Sequence, residues 1–266
     1  MNIHALEHSD KNLVADLQPE GWNEFMPNIE FYMSSGFCFP IKLTIDKKIV
    51  GIGTTIIHDT VAWLAAIIVH PDYRNRGLGK LITKTLIDSL KPKGCNTIYL
   101  IATDLGEPVY NKLGFETETG YICFKEIKAT SGWNISEHIV PFTDDFKTQL
   151  ATIDRKATGE DRMMHLESHL ARGYLYIQNN IVEGFCLPTI GEGLIAAKTT
   201  SAGDELMKLR LSTKENAIFP RDNLNASEFM HQNNFKEHKA IKRMRLGKKV
   251  DWQPKNIYNR VGGNLG

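Results

Sequence analysis

Residues 69–82 read VHPDYRNRGLGKLI. An apolar, β-like run, VAWLAAIIV at 61–69, enters this segment. A helical pattern leaves it: Leu78, Leu81, Ile82, Leu86 and Leu90 recur at helical spacing until Pro92 and Gly94 stop the run. Between strand and helix stand two glycines, two arginines and a lysine, and spacing decides which phosphate they suit. A mononucleotide loop needs G-x-x-x-x-G-K-[ST]. Measured back from Gly79 and Lys80, Arg74 stands where the first glycine belongs and Leu81 where the hydroxyl belongs. A dinucleotide G-x-G-x-x-G starting at Gly77 wants glycine at 82, which is Ile82. What remains is strand, R-x-x-G-x-G, helix. Glycines let a ligand approach the backbone, the first N–H groups of the helix point at an anion, and Arg74, Arg76 and Lys80 add charge. That arrangement suits a pyrophosphate.

Upstream, IKLTI at 41–45, the turn DKK, IVGIGTTII at 49–57 and the turn HDT lead into VAWLAAIIV, an antiparallel meander by its turn spacing. Downstream, CNTIYLIAT reads as a strand, LGEPVYNKLGF as a short helix ending at Gly114, and YICFKE as a closing strand, so a parallel crossover is grafted onto the meander. NLVADL and WNEFMPNIEFYM are two weaker helical stretches near the start. The segment 128–138, KATSGWNISEH, lacks apolar periodicity and marks a boundary. After it the order repeats: DFKTQLATID and DRMMHLESHLAR as helices, GYLYIQ, IVEGFCLP and LIAAKTT as strands, GDELMKLRLS as a helix, NAIF as a strand, ASEFMHQNNF as a helix and HKAIKRMRL as a strand. The expected organisation is a domain over 1–127, a linker over 128–137 and a second copy of the plan over 138–266.

Lys plus Arg number 32 against 31 Asp plus Glu, which disfavours a nucleic-acid partner because no cationic excess is present to release counterions. The apolar run at 61–69 is far short of the roughly 18 residues that span a bilayer, and the start MNIHALEHSDK has no signal-peptide core. The expectation is a soluble, cytoplasmic protein without membrane contact, monomeric or homodimeric. Cys38, Cys95, Cys123 and Cys186 show no paired spacing and read as packing residues.

The run VHPDYRNRGLGKLI resembles the acyl-CoA-binding motif of the GNAT superfamily of N-acetyltransferases, [QR]-x-x-G-x-[GA]. VYNKLGF at 109–115 is similar to the Y-x-K-x-G-F segment common there, and GWN at 21–23 with ATDLGEPVYNKLGF looks like a bacterial subgroup carrying a degenerate second domain. The likeness spans about residues 1 to 126 and weakens over 138 to 248. It implies an α/β (α+β) fold of tandem GNAT-like domains, each a mixed, mostly antiparallel sheet flanked by helices. It also implies N-acetyl transfer from acetyl-CoA to an amine, on a small molecule or a peptide, without metal. A non-catalytic acyl-CoA sensor and O-acyl transfer are the rival readings.

Carried over residue by residue, the resemblance places the phosphates on Arg74, Asn75, Arg76, Gly77, Leu78, Gly79 and Lys80. It places the pantetheine arm along the backbone of Ile67, Ile68 and Val69, where a bulge splays the fourth strand and one N–H meets the thioester oxygen. Tyr110 becomes the acid for the departing thiolate, with Asn111 beside the cofactor. The same Tyr also reads as an aromatic packing a short helix. The base is open among Glu30, His58 and Asp59. Trp22 and Asn23, with Phe31 and Tyr32, fall where the acceptor pocket is roofed in such enzymes.

Matching Leu206 and Met207 to Leu81 and Ile82 sets TTSAGDE, 199–205, opposite RNRGLGK, with Asp204 and Glu205 at the places of Gly79 and Lys80. Two carboxylates there would repel a pyrophosphate. Phe235 matched to Phe115 sets Met230 opposite Tyr110. The second copy is expected to complete or brace the acceptor pocket, not to bind CoA. In ATGEDRMMHL, Thr158 and Asp161 have capping-box spacing. Arg162, His165, His169 and Arg172 share a polar helical face, read as solvated or, for Arg162, as reaching an anionic acceptor. His165 and His169 lack the glutamate of a zinc motif, since Leu166 holds its place.

Overall fold

The computed structural model describes residues 1–21, 24–127 and 132–266. The chain divides into two compact units, Met1–Glu116 with Met244–Lys248, and Thr117–Arg243 with Lys249–Gly266.

Unit 1 contains β1 (Asn2–Ala5), α1 (Met26–Ser34), β2 (Cys38–Ile45), β3 (Lys48–His58), β4 (Val61–Val69), α2 (Leu78–Leu90), β5 (Thr97–Ala102) and α3 (Glu107–Asn111). The strands lie in chain order: β1 to β4 pair antiparallel, and β5 joins β4 parallel. Left-handed turn residues Asp46, Lys47 and Asp59 reverse the chain between β2, β3 and β4 and make the meander. The parallel partner requires a crossover, which α2 supplies. One face of α2 is apolar: Leu78, Ile82, Leu86 and Leu90 are buried in a cluster with Val50, Leu64 and Leu100. Truncating a buried side chain such as Ile82 to Ala costs about 2–5 kcal/mol. NLVADL is not α-helical. His8–Leu13 and Ala15–Leu17 are 3-10 turns, the first drawn tight by Asp10, whose carboxylate accepts from Glu7 N–H at 2.9 Å.

Unit 1 also takes Met244–Lys248 from far along the sequence. Met244 and Leu246 pack into the α2 cluster. Lys248 N–H donates to Asn96 O at 2.9 Å, and Thr97 Oγ1 donates to Lys248 O at 2.8 Å. These residues close β12 (Glu237–Gly247), which follows β6 (Glu116–Phe124), β7 (Ile139–Pro141), α4 (Lys147–Thr158), α5 (Met163–Leu170), β8 (Tyr174–Gln178), β9 (Ile181–Leu187), β10 (Leu194–Ala197), α6 (Thr200–Leu211), β11 (Ala217–Pro220) and α7 (Leu224–Gln232). The last strand is β13 (Ile257–Asn259).

In unit 2 an antiparallel sheet is ordered β13-β10-β9-β8-β7, and β11 pairs antiparallel with β6. Its core gathers Phe124, Phe219, Leu206, Met207, Met230 and Tyr258. The polar face expected of Arg162, His165, His169 and Arg172 is solvated only in part: Arg172 is exposed, but Arg162 and His165 are buried, and unit 2 holds buried ion pairs. Arg162 is bound to Asp154, and Arg243 to Glu118 at 2.9 Å with its guanidinium 4.0 Å from the Trp252 ring centroid. The capping box does not form. Thr158 ends α4 and its hydroxyl donates to Asp154 O, while α5 starts at Met163, with Arg162 as its N-cap and no side-chain cap. No helix among the described residues is long and apolar enough to cross a membrane. All four cysteines are free, and Cys38, Cys123 and Cys186 are buried.

Candidate functional site

The chain enters α2 through two left-handed residues, Asn75 at φ 59° and Gly77 at φ 78°. Asn tolerates that region, and Gly occupies it without steric cost. Gly77 is the N-cap and offers no side chain, so the first N–H groups of α2 carry no side-chain cap. With the helix dipole behind them they form an anion site. At Gly79 an added Cβ would meet nothing of the protein nearer than Val69 Cγ2 at 3.9 Å. The cations brace the loop: Arg74 Nε donates to Val69 O at 3.1 Å, and Arg76 Nη2 to Asp72 O at 2.9 Å while lying 5.2 Å from the Tyr73 ring centroid. Each guanidinium keeps further donors, and both arginines, Asn75 and Lys80 are exposed. Leu78 turns inward and anchors the helix start.

Ile52 pairs with Ile68, but Thr54 pairs with Ala65, so β4 takes three steps where β3 takes two. The extra residue falls at Ala66 or Ile67, and Ala66 has φ 49°. This is a β-bulge. On the other side, the register with β5 covers only Val61–Trp63 against Thr97–Tyr99. Ile67, Ile68 and Val69 therefore lie beyond the bulge, on a stretch of β4 with no β5 register among the described residues.

Tyr110 sits in α3, 8% exposed, in the cluster that includes Leu64, Leu78 and Ala102. Its ring lies 6.0 Å from Phe115 at an interplanar angle of 59°. Burial pushes its phenol up to about 12. Asn111, next to it, is exposed.

The acceptor-side residues are less united. Trp22 and Asn23 lie outside the described residues. Glu30, in α1, is ion-paired with Lys11 at the surface. Phe31 is 39% exposed and Tyr32 is buried. His58 and Asp59 do not border the bulge. His58 pairs with Val61, so five residues of strand, about 17 Å at ~3.3 Å each, separate it from Ala66, beyond direct proton transfer. His58 is also 1% exposed. Arg162 does not face a ligand: its guanidinium is 2% exposed and held bidentately by Asp154 within unit 2.

Helix starts correct the expected match between the copies. In unit 1 eight residues, His70–Gly77, link β4 to α2; in unit 2 only Lys198 and Thr199 link β10 to α6. The loop itself is gone. Thr199 caps α6 by accepting from Ala202 N–H at 3.3 Å. Asp204 and Glu205 thus lie inside α6, and Ser201 and Ala202 stand at the places of Gly79 and Lys80. Ser201, Asp204 and Glu205 line a concavity with Ser136, Tyr176, Lys208, Phe229, Gln232 and Asn233, which sequence reasoning missed. Burial pushes the Asp204 carboxyl up to about 6, and its Oδ1 has no hydrogen-bond partner. The match at the next helix holds. Phe115 N–H donates to Tyr110 O at 3.1 Å and Phe235 N–H to Met230 O at 3.0 Å, with left-handed Gly114 and Asn234 before them. Met230 occupies Tyr110's position.

Residues 6–115 match the Acetyltransferase (GNAT) family. Over 82 residues, 30% of this chain, the sequence is 33% identical to the [Ribosomal protein bS18]-alanine N-acetyltransferase of Salmonella typhimurium, and over 55 residues, 21% of this chain, it is 36% identical to the glucosamine 6-phosphate N-acetyltransferase of Trypanosoma brucei brucei. The chain spans 55% and 37% of the lengths of these relatives. Among solved structures it is similar to a proposed acetyltransferase of Pyrococcus horikoshii, with TM-score 0.84 and 21% identity, covering 100% of this chain and 95% of that one. It also resembles a tandem GNAT protein from the clavulanic acid biosynthesis pathway, with TM-score 0.60 and 9% identity over 92% of this chain and 98% of that one. The fold of the whole chain is shared with these two solved structures, and residues 6–115 match the GNAT acetyltransferase family.

Proposed function

We propose that the protein is an acyl-CoA-dependent N-acyltransferase that uses acetyl-CoA as donor and binds it in unit 1. The observation that carries this reading is the start of α2, reached through left-handed Asn75 and Gly77 and left without a side-chain cap, beside a β4 that is bulged at Ala66. The pyrophosphate takes the N–H groups of Gly77, Leu78, Gly79 and Lys80 with the Arg74 and Arg76 cations. The pantetheine follows the backbone of Ile67, Ile68 and Val69, and Asn111 flanks it. Unit 2 lacks the loop, so one donor molecule binds per chain.

In the reaction the neutral amine nitrogen attacks the thioester carbon. A β4 N–H beyond the bulge donates to the oxygen as it gains charge. The C–S bond breaks and the electron pair leaves on sulfur. Tyr110, held near 12, keeps its proton against a thiolate whose acid has a pKa of about 8.5. Its task is therefore to donate a hydrogen bond to the departing sulfur, with the thiolate protonated from solvent after release. The amine proton leaves to solvent, and Glu30 is the described carboxylate proposed to border the acceptor. The two curated relatives are both named as N-acetyltransferases, which supports nitrogen over oxygen as the acceptor atom. Their acceptors, a ribosomal-protein alanine and a sugar phosphate, share only the amine.

Calorimetric titration with acetyl-CoA and a thiol-release screen over small amines and peptides test the proposal. One site per chain with amine-dependent thiol release is expected. Binding without release to any amine would make the protein a sensor, and two sites or none would remove the single-site reading.

A further inference from the structure

Resting on the reading of Tyr110 as the donor to sulfur, the geometry points to Gly106 as a positioning residue that sets the phenol by having no side chain. A Cβ at 106 would lie 2.7 Å from Tyr110 Cε2 and 3.1 Å from both Cζ and Oη. Carbon atoms in contact prefer about 3.5–4.0 Å. Gly106 has φ −84° and ψ −33°, open to any residue, so space and not backbone conformation calls for glycine. Gly106 is also held in place. Its N–H donates to Thr103 O at 2.9 Å, and its carbonyl accepts from Val109 N–H at 2.9 Å and Tyr110 N–H at 3.2 Å. The ring also meets Phe115, itself tied to the Tyr110 carbonyl. A side chain at 106 therefore displaces the phenol and leaves the loop in place.

Unit 2 contains the internal counterpart. Counted back four residues from Met230 and the same turn after it, Ala226 falls opposite Gly106, inside α7 where Gly106 is the N-cap of α3. Ala226 is fully buried. Where a flexible thioether replaces the rigid phenol, the Cβ has returned, which is the pairing expected if glycine serves the tyrosine.

The test compares wild type, Gly106→Ala, Tyr110→Phe and the double variant. Thiol release from acetyl-CoA is followed with hydroxylamine as the acceptor probe, and acetyl-CoA binding by calorimetry. Gly106→Ala should lower kcat at least tenfold with acetyl-CoA affinity within twofold. Added to Tyr110→Phe it should change kcat less than twofold, because no hydroxyl remains to misplace. If Tyr110→Phe is slow and Gly106→Ala is not, the positioning role falls and the Tyr110 reading stands. Equal losses in both backgrounds, or lost acetyl-CoA binding in Gly106→Ala, assign Gly106 to the fold and overturn the inference. Unchanged kcat in Tyr110→Phe, or no thiol release by wild type, overturns the reading beneath it as well.

Discussion

The guanidinium of Arg162 lies against the carboxylate of Asp154, Nε to Oδ2 at 2.9 Å and Nη2 to Oδ1 at 2.8 Å, with both side chains 2% exposed. Removing one partner strands a buried charge. Arg162→Ala should cost about 3–5 kcal/mol of stability, whereas replacing both partners with apolar residues of similar volume should cost much less. Denaturant melts check this, and an Arg162→Ala protein as stable as wild type but with a raised acceptor KM would return Arg162 to ligand binding.

Gly77 and Gly79 should separate conformation from ligand space. Gly77→Ala forces a side chain into φ 78° and should destabilise by about 1–2 kcal/mol. Gly79→Val meets no protein atom closer than ordinary contact at its Cβ, so stability should change by under about 0.5 kcal/mol. Acetyl-CoA affinity should nevertheless fall at least tenfold. Calorimetry that finds unchanged affinity for Gly79→Val would move the phosphates elsewhere.

A donor phenol is lost only as pH rises through its own pKa. With burial holding Tyr110 at about 12, the ratio of wild-type to Tyr110→Phe turnover should stay flat between about pH 8 and 10. A ratio that shrinks across that range would mean an ionising phenol open to water. The check is a pair of pH–kcat profiles.

Burial outweighs the Lys208 ammonium and holds the folded Asp204 carboxyl at about 6, above its value of about 3.9 in an unfolded chain. A raised carboxyl favours folding when protonated, and that contribution is lost as pH rises through about 6. Asp204→Asn should therefore raise the melting temperature at about pH 8 and leave it nearly unchanged at about pH 4. The gain should be about 1 kcal/mol, reduced by solvent screening of a part-exposed group. An equal change at both pH values would refute the assignment.

The meander, the crossover and the loop were legible because each is written in local spacing. Turn residues fall between apolar strands, and apolar residues recur along α2. Short strands were not. Asn2–Ala5 is mostly exposed and becomes a strand by pairing with Ile41–Thr44, while Ile139–Pro141 and Ile257–Asn259 are three residues each. In the second copy, matching helices by apolar residues alone slid α6 along the loop it no longer has. The position of a helix start depends on the cap, and Thr199 is the cap.

By itself the sequence determined the order of the longer strands and helices, the family likeness and the spacing at 74–80, since turn chemistry, periodicity and glycine placement act over a few residues. Tertiary structure alone decided three other matters. It ended the β4–β5 register at Trp63 and placed the bulge at Ala66, which sets His58 far from the opening. It buried Arg162 against Asp154, eight residues away across a helix break. It drew Met244–Lys248 into unit 1, beside Asn96 and Thr97. Each of these depends on which distant segment fills a core or satisfies a backbone group, and local patterns of residues carry no record of that partner.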